Sequence, residues 1–222
     1  QGAHPNNSND QVLLLNFVPE LNKVDVSPDQ EDIFMLRKVI MAEDMERARV
    51  EFIFVIDRSG SMDGKRIENL KRALLKFFES LPRNCFFNIV SFGSTASLYK
   101  PHSVQYSPES LREVQEWIGT INADMGGTEV LTALQMASTL PILHGYPRTV
   151  LVLTDGDVFN PDEVIRHVIE HSKKTRVCTV GIGHGSSEYL VKNIAKAGRC
   201  TSEFVFDSED IGEKVLYMIK AA

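Results

Sequence analysis

The chain has 222 residues, enough for one domain with a well-filled core plus a short extension. Hydrophobic residues make up 43 % and charged residues 24 %, which excludes an intrinsically disordered composition. The net charge of -6, with no Lys/Arg stripe interleaved with aromatics, argues against nucleic acid as a partner, and no apolar run approaches a membrane span.

Taken in chain order, residues 1–10 (QGAHPNNSND) lack the basic start and apolar centre of a signal peptide and read as a disordered tail or a remnant outside the fold. Asn6-Asn7-Ser8 fits a glycosylation sequon, a weak signal in a polar tail. Residues 11–48 form an N-terminal extension, with candidate strands at Val12–Val18, stopped by Pro19, and at Ile33–Ile40. Residues 49–222 carry a different pattern. Glu51–Ile56 is a nearly continuous apolar strand, the signature of a sheet covered on both faces. Lys65–Leu81 places Ile67, Leu70, Leu74, Phe77, Phe78 and Leu81 at the helical period.

Phe86–Phe92 is a strand, with Ser97–Lys100 pairing beside it across a turn at Gly93-Ser94. Helices are expected at Ser110–Ile121, Thr128–Leu140 and Asp162–Lys174, the last with Pro161 at its start. Further strands are expected at Thr149–Leu153, Val177–Ile182 and Phe204–Phe206. Glu188–Ala197 is a helix ended by Gly198, and Ser208–Lys220 a last helix with Ser208 as its N-cap. Strands alternating with helices imply an α/β fold, doubly wound and Rossmann-like, with a mostly parallel central sheet flanked by helices.

In such sheets ligands bind outside the carboxyl ends of the strands. Directly after the first core strand stands Asp57-Arg58-Ser59-Gly60-Ser61. Asp57, Ser59 and Ser61 alternate, so their side chains can share one side of an extended loop, and Gly60 permits a tight turn. Gly126-Gly127-Thr128 adds a hydroxyl at a helix start, and Thr154-Asp155-Gly156 adds a carboxylate after the second buried strand. Hydroxyls and carboxylates are hard oxygen donors that suit Mg²⁺ or Mn²⁺ and not Zn²⁺. Two carboxylates neutralise a dication only formally, which leaves it able to accept a further oxygen from outside.

Asp57-x-Ser59-x-Ser61 with Thr128 and Asp155 resembles the metal-ion-dependent adhesion site of von Willebrand factor A domains. The resemblance covers roughly Arg49 to Ala222. It implies the fold of that family and five metal ligands: Asp57, Ser59, Ser61, Thr128 and Asp155. It implies Mg²⁺, with Mn²⁺ or Ca²⁺ as alternatives, and a protein partner presenting Asp or Glu to the ion. Leu81-Pro82, Phe87-Asn88-Ile89, Ser91-Phe92-Gly93 and Gly181-Ile182-Gly183 are similar to A domains that follow a VIT domain, as in inter-alpha-trypsin inhibitor heavy chains and vault poly(ADP-ribose) polymerase. Arg58 departs from that pattern and is expected to bring a cation to the metal rim.

Other motifs are weaker. Asp63, Glu129 and Asp157 read as solvated loop acids, with acids at the metal rim as the alternative, and Met62 and Met125 as packing beneath the ligand loops, with exposed partner contacts as the alternative. His184 reads as a loop histidine. His167-Val-Ile-Glu170-His171 matches the HxxEH of one zinc-peptidase class, but also serves as the polar face of a helix covering the sheet, and zinc catalysis is not expected from it. Gly181-Ile182-Gly183-His184-Gly185 is not a dinucleotide fingerprint. Cys85, Cys178 and Cys200 are odd in number and lack paired spacing, so no disulfide framework is expected and Cys178 reads as a buried core thiol. That favours a reducing compartment, cytoplasmic or otherwise intracellular, with an extracellular setting left open should a longer parent chain be secreted.

The expected function is therefore a monomeric, non-enzymatic, metal-dependent interaction module without membrane or nucleic-acid partners. The alternatives are a Mg²⁺-dependent hydrolase or phosphoryl-transfer enzyme, and a metal-free scaffold domain.

Overall fold

The computed structural model describes residues 48–156, 158–206 and 211–222, all within the second of the chain's two units, Val39–Ala222. The expected tail, the extension with its two strands, Asp157 and Ser208 lie outside the described residues. In chain order the elements are β1 (Glu51–Asp57), a single 3-10 turn (Gly60–Met62), α1 (Lys65–Ser80), β2 (Phe86–Phe92), β3 (Ala96–Leu98), β4 (Val104–Gln105) and α2 (Pro108–Thr120). They continue with α3 (Val130–Thr139), β5 (Arg148–Thr154), α4 (Pro161–His171), β6 (Thr175–Ile182), α5 (Glu188–Ala197), β7 (Ser202–Val205) and α6 (Gly212–Ala221).

The seven strands form one sheet in the order β3-β2-β1-β5-β6-β7, with β4 also pairing to β2. β1 runs parallel to β2 and to β5, and β5–β6 and β6–β7 are parallel too. Among the described residues only β3 and β4 are antiparallel, both against β2. β1 is therefore the sheet's centre, and every one of its residues is buried. The alternation of a strand sends Phe52, Phe54 and Ile56 into one core and Ile53 and Val55 into the other.

The first core is closed by α1, α2 and α6, the second by α3, α4 and α5. The first is aromatic at its heart: Phe78 lies with ring centroids 4.8 Å from Phe54 and 4.9 Å from Phe87. Each of these fully buried rings contributes roughly 2–3 kcal/mol of burial free energy. α2 starts at a reciprocal Ser107–Ser110 capping box with Pro108 in the first turn, and Pro161 likewise opens α4. Ser187 caps α5, which ends at Gly198.

Cys178 is not a free thiol. It sits on β6 and is joined to Cys200, just before β7, by a disulfide with Cα atoms 5.0 Å apart. The pair is 22 residues apart in sequence, and parallel pairing of β6 with β7 brings the ends of that loop together after α5 crosses over. Spacing along the chain carries no trace of that closure. Among the described residues Cys85, which is buried, is the free cysteine, and burial pushes its thiol up to about 12.

Candidate functional site

Strand order reverses direction between β1 and β5: the chain moves from β1 out to β2, and from β5 out the other way to β6 and β7. The carboxyl ends of β1 and β5 flank that switch point, where doubly wound sheets open a crevice. Asp57 is the last residue of β1, and Asp155 follows Thr154, the last of β5.

The Asp57 carboxylate is fully buried. Oδ1 accepts the Ser59 backbone N–H at 2.9 Å, and Oδ2 accepts the Thr154 hydroxyl at 2.6 Å. Thr154 Oγ1 in turn accepts the Gly156 N–H at 2.9 Å, which fixes the loop after β5. These partners are all neutral. Burial is the dominant influence on Asp57 and raises its pKa above the ordinary carboxylate range, with Asp155 adding in the same direction, while the bonds from Ser59 and Thr154 oppose it.

Ser59 is buried and Ser61 exposed, and their hydroxyl oxygens stand 3.0 Å apart. The single 3-10 turn at Gly60–Met62 brings Ser61 round beside Ser59. Met62 is wholly buried beneath the loop, as expected for packing. The Gly60 N–H donates to the Gly126 carbonyl at 2.7 Å, so the loop after β1 is laid against the loop that carries Thr128. Thr128 itself lies two residues before α3, half-buried, in the loop and not in the helix.

Gly93 and Ser94, expected only as a turn beside β2, also hold this loop. The Gly127 N–H donates to Ser94 Oγ at 2.7 Å, the Ser94 N–H to the Met125 carbonyl at 2.6 Å, and the Glu129 N–H to the Gly93 carbonyl at 2.8 Å. A Cβ on Gly93 would stand 2.3 Å from the Met125 carbonyl oxygen, so only glycine admits the loop here.

Arg58 does not bring a free cation to the rim. Its guanidinium pairs with Asp124 at 2.6 Å and donates through Nε to the Asn122 carbonyl at 3.0 Å, while its own carbonyl accepts from Met125 N–H at 3.0 Å. It is a clamp on the segment leading to Thr128. The cation at the site is Arg66, from the first turn of α1. Arg66 Nη1 lies 2.8 Å from the Ser61 carbonyl and 3.2 Å from Asp155 Oδ2. Nothing in the local sequence marked it, because a lysine or arginine opening an amphipathic helix is ordinarily a solvated one.

Ser61, Arg66 and Asp155 form one wall of a cleft of about 370 Å³, and Val158, Pro161 and Tyr189 line another part. Phe159, between two of those lining residues in sequence, is 97 % exposed. His184 accepts Arg66 Nη2 at its carbonyl, at 3.5 Å, and stacks its ring on Phe206. Asp63 and Glu129 are exposed loop acids, as expected.

A doubly wound α/β domain with an oxygen-rich constellation at its switch point defines the class. The profile described as "von Willebrand factor type A domain" matches residues 50–204, and the chain belongs to that family. Domains of this family are in general protein-interaction modules. The chain is 40 % identical over 181 residues to von Willebrand factor A domain-containing protein 5A of Rattus norvegicus, a match over 78 % of this chain and 22 % of the relative. It is 35 % identical over 211 residues to protein 5B1 of Mus musculus, over 95 % of this chain and 16 % of that relative. The chain thus spans about a fifth of the length of such relatives.

Among solved structures, a von Willebrand factor type A protein from Catenulispora acidiphila superposes with a TM-score of 0.69 at 23 % identity, covering 78 % of this chain and 42 % of that one. Proximal thread matrix protein 1 from the mussel byssus, described with a zinc-occupied MIDAS motif, superposes with a TM-score of 0.63 at 16 % identity, over 84 % of this chain and 51 % of that one. These likenesses bear out the fold.

Proposed function

We propose that the domain is a metal-dependent protein-interaction module, with Mg²⁺ held by Asp57, Ser59, Ser61, Thr128 and Asp155 and completed by a carboxylate of a protein partner. Its adhesion-site resemblance and its kinship to VIT-associated A domains belong to the same proposal.

The observation that carries it is the donor set around Asp57. Among the described residues, a buried carboxylate is met by the neutral donors Ser59 N–H and the Thr154 hydroxyl, beside two hydroxyls 3.0 Å apart. Adjacent oxygens of an octahedron with bonds of about 2.1 Å lie about 3.0 Å apart, the Mg²⁺ preference. Oxygen atoms of this kind suit a hard dication. When bound, the ion supplies an electrophilic point for an incoming carboxylate oxygen.

The chain's own residues set the sign of what is attracted. Asp57 and Asp155 carry -2 and Arg66 +1, so a dication leaves the site at about +1 by formal charge, which favours an acidic group. The cleft beside it gives that group's neighbours somewhere to sit, and the exposed Tyr189 offers apolar area in its lining.

Capture of partners from lysate by the immobilised chain, with Mg²⁺ and with EDTA, tests the reading. Chelator-sensitive capture that Asp155→Ala abolishes is expected. Capture that survives both EDTA and Asp155→Ala would assign binding to a metal-free surface instead.

A further inference from the structure

We propose that His167, Glu170 and His171 form a second metal site, specific for Zn²⁺-like borderline ions, on the exposed face of α4. Among the described residues, one donor atom from each of these side chains lies within 4.8 Å of the others. The positions follow from helix geometry: residues three and four apart share a face, and the two imidazole rings are 4.2 Å apart between centroids.

The hydrogen bonds fix which nitrogen of each ring is free to bind. His171 Nδ1 lies 2.8 Å from the His167 carbonyl and so carries the proton, which leaves the lone pair of Nε2 free. The Ser138 hydroxyl donates to the Leu134 carbonyl at 2.9 Å, so its oxygen is the acceptor for His167 Nε2–H at 3.3 Å. His167 thus offers Nδ1. Each ring spends one nitrogen on a protein oxygen and frees the other, the arrangement that positions histidines around a metal.

Two imidazoles and one carboxylate suit Zn²⁺, with a fourth position left for water or an outside ligand. A cleft of about 630 Å³ bordered by Ser138, Glu170 and His171 leaves room for it. The donors are nitrogen-rich where the site at the switch point is all oxygen, so Zn²⁺ favours the helix face while millimolar Mg²⁺ competes for the switch point. The assignment is to binding, with Glu170 as the third protein ligand beside the two imidazoles.

The test is Zn²⁺ uptake by the 222-residue chain, competed against a chromophoric chelator in millimolar Mg²⁺, with Co²⁺ absorption as a second readout. A single equivalent of Zn²⁺ and a four-coordinate Co²⁺ spectrum are expected. His171→Ala should weaken uptake at least about tenfold, as loss of even an orienting partner does, and His167→Gln and Glu170→Gln should weaken it as well. Asp57→Asn should leave it unchanged. His171 is exposed, so His171→Ala keeps the fold, and an unaltered thermal midpoint in EDTA verifies that. Absence of zinc uptake at micromolar concentrations overturns the assignment, and so does uptake lost in Asp57→Asn but kept in His171→Ala.

Discussion

Replacing Asp57 by Asn separates what the carboxylate does for the fold from what it does for the metal. Both oxygens accept a hydrogen bond, from Ser59 N–H at 2.9 Å and from the Thr154 hydroxyl at 2.6 Å. An asparagine keeps the first through its carbonyl oxygen. Its amide then faces Thr154 Oγ1, which must turn to accept, at a cost of about 1 kcal/mol for the hydrogen bond forgone. Against that stands relief of the buried charge, the influence that raises this carboxyl's pKa. In EDTA the two offset, and Asp57→Asn is expected within about 1 kcal/mol of wild type.

With metal at a hundred times its dissociation constant, wild type gains about 2.7 kcal/mol and the variant nothing. For a domain of this size that is a rise of roughly 5–10 °C in thermal midpoint. Differential scanning of both proteins in EDTA, Mg²⁺ and Mn²⁺ reads it directly. The pH dependence has a fixed sign. A folded pKa above the unfolded one means that this contribution is fully present below the unfolded pKa and is lost as pH rises through the folded one. In EDTA, then, wild type gains on Asp57→Asn as pH falls from neutral toward 4. A variant that keeps the metal-induced rise, or a wild type with none at millimolar metal, refutes the reasoning.

Gly93→Ala should lose about 1–3 kcal/mol in denaturant titration and most of the metal response, because the new Cβ meets the Met125 backbone at 2.3 Å. Gly119→Ala, in open space on α2, is the control and should hold or gain up to about 1 kcal/mol. Arg66→Gln removes the cation that shares Asp155, so metal should bind up to about tenfold tighter while an acidic partner binds more weakly; this half-exposed pair is worth on the order of 1 kcal/mol, and unchanged metal affinity in titration would refute the competition. Cys200→Ser should lower stability in denaturant titration by about 3 kcal/mol, the chain-entropy value for a loop of 22 residues, and dithiothreitol should lower wild type by the same amount and Cys200→Ser by none.

The fold was legible because its signals are local and mutually consistent. Glu51–Ile56 and Thr149–Leu153 are apolar on both faces, which only a doubly covered sheet requires, and α1 shows its buried stripe over the whole of Lys65–Ser80. β4 was missed because two residues, Val104 and Gln105, carry no periodicity. The sequence starts α3 at Thr128, two residues before Val130, because Thr128 and Glu129 read as a helix start, whereas the Gly127 and Glu129 N–H groups on either side of Thr128 are held by Ser94 and Gly93. Arg58, Arg66 and the Cys178–Cys200 bond were misjudged or unseen for one reason. Their partners, Asp124, Asp155 and each other, are 66, 89 and 22 residues away, and pairing at such range is a property of the folded chain. The expectation of a reducing compartment rested on unpaired thiols, and among the described residues only Cys85 is one.

The two ends of β1 show how far a site can be read from imbalance. Glu51 opens the strand, 1 % exposed, and is answered in full: Arg148 Nε lies 2.7 Å from one oxygen, and the Ser103 hydroxyl 2.6 Å from the other. Arg148 then donates to the carbonyls of Ala137, Leu140 and Pro141 where α3 ends. That is a buried ion pair with its remaining donors satisfied, and it asks for nothing further. Asp57 closes the same strand, equally buried, yet among the described residues no cation reaches it. Had the site served only stability, a residue that packs without charge would cost less there. A strand that balances one buried acid and leaves the other to neutral donors departs from consistency at the carboxyl end of the sheet, where a doubly wound fold keeps its ligands. The missing positive charge is what a bound dication would bring.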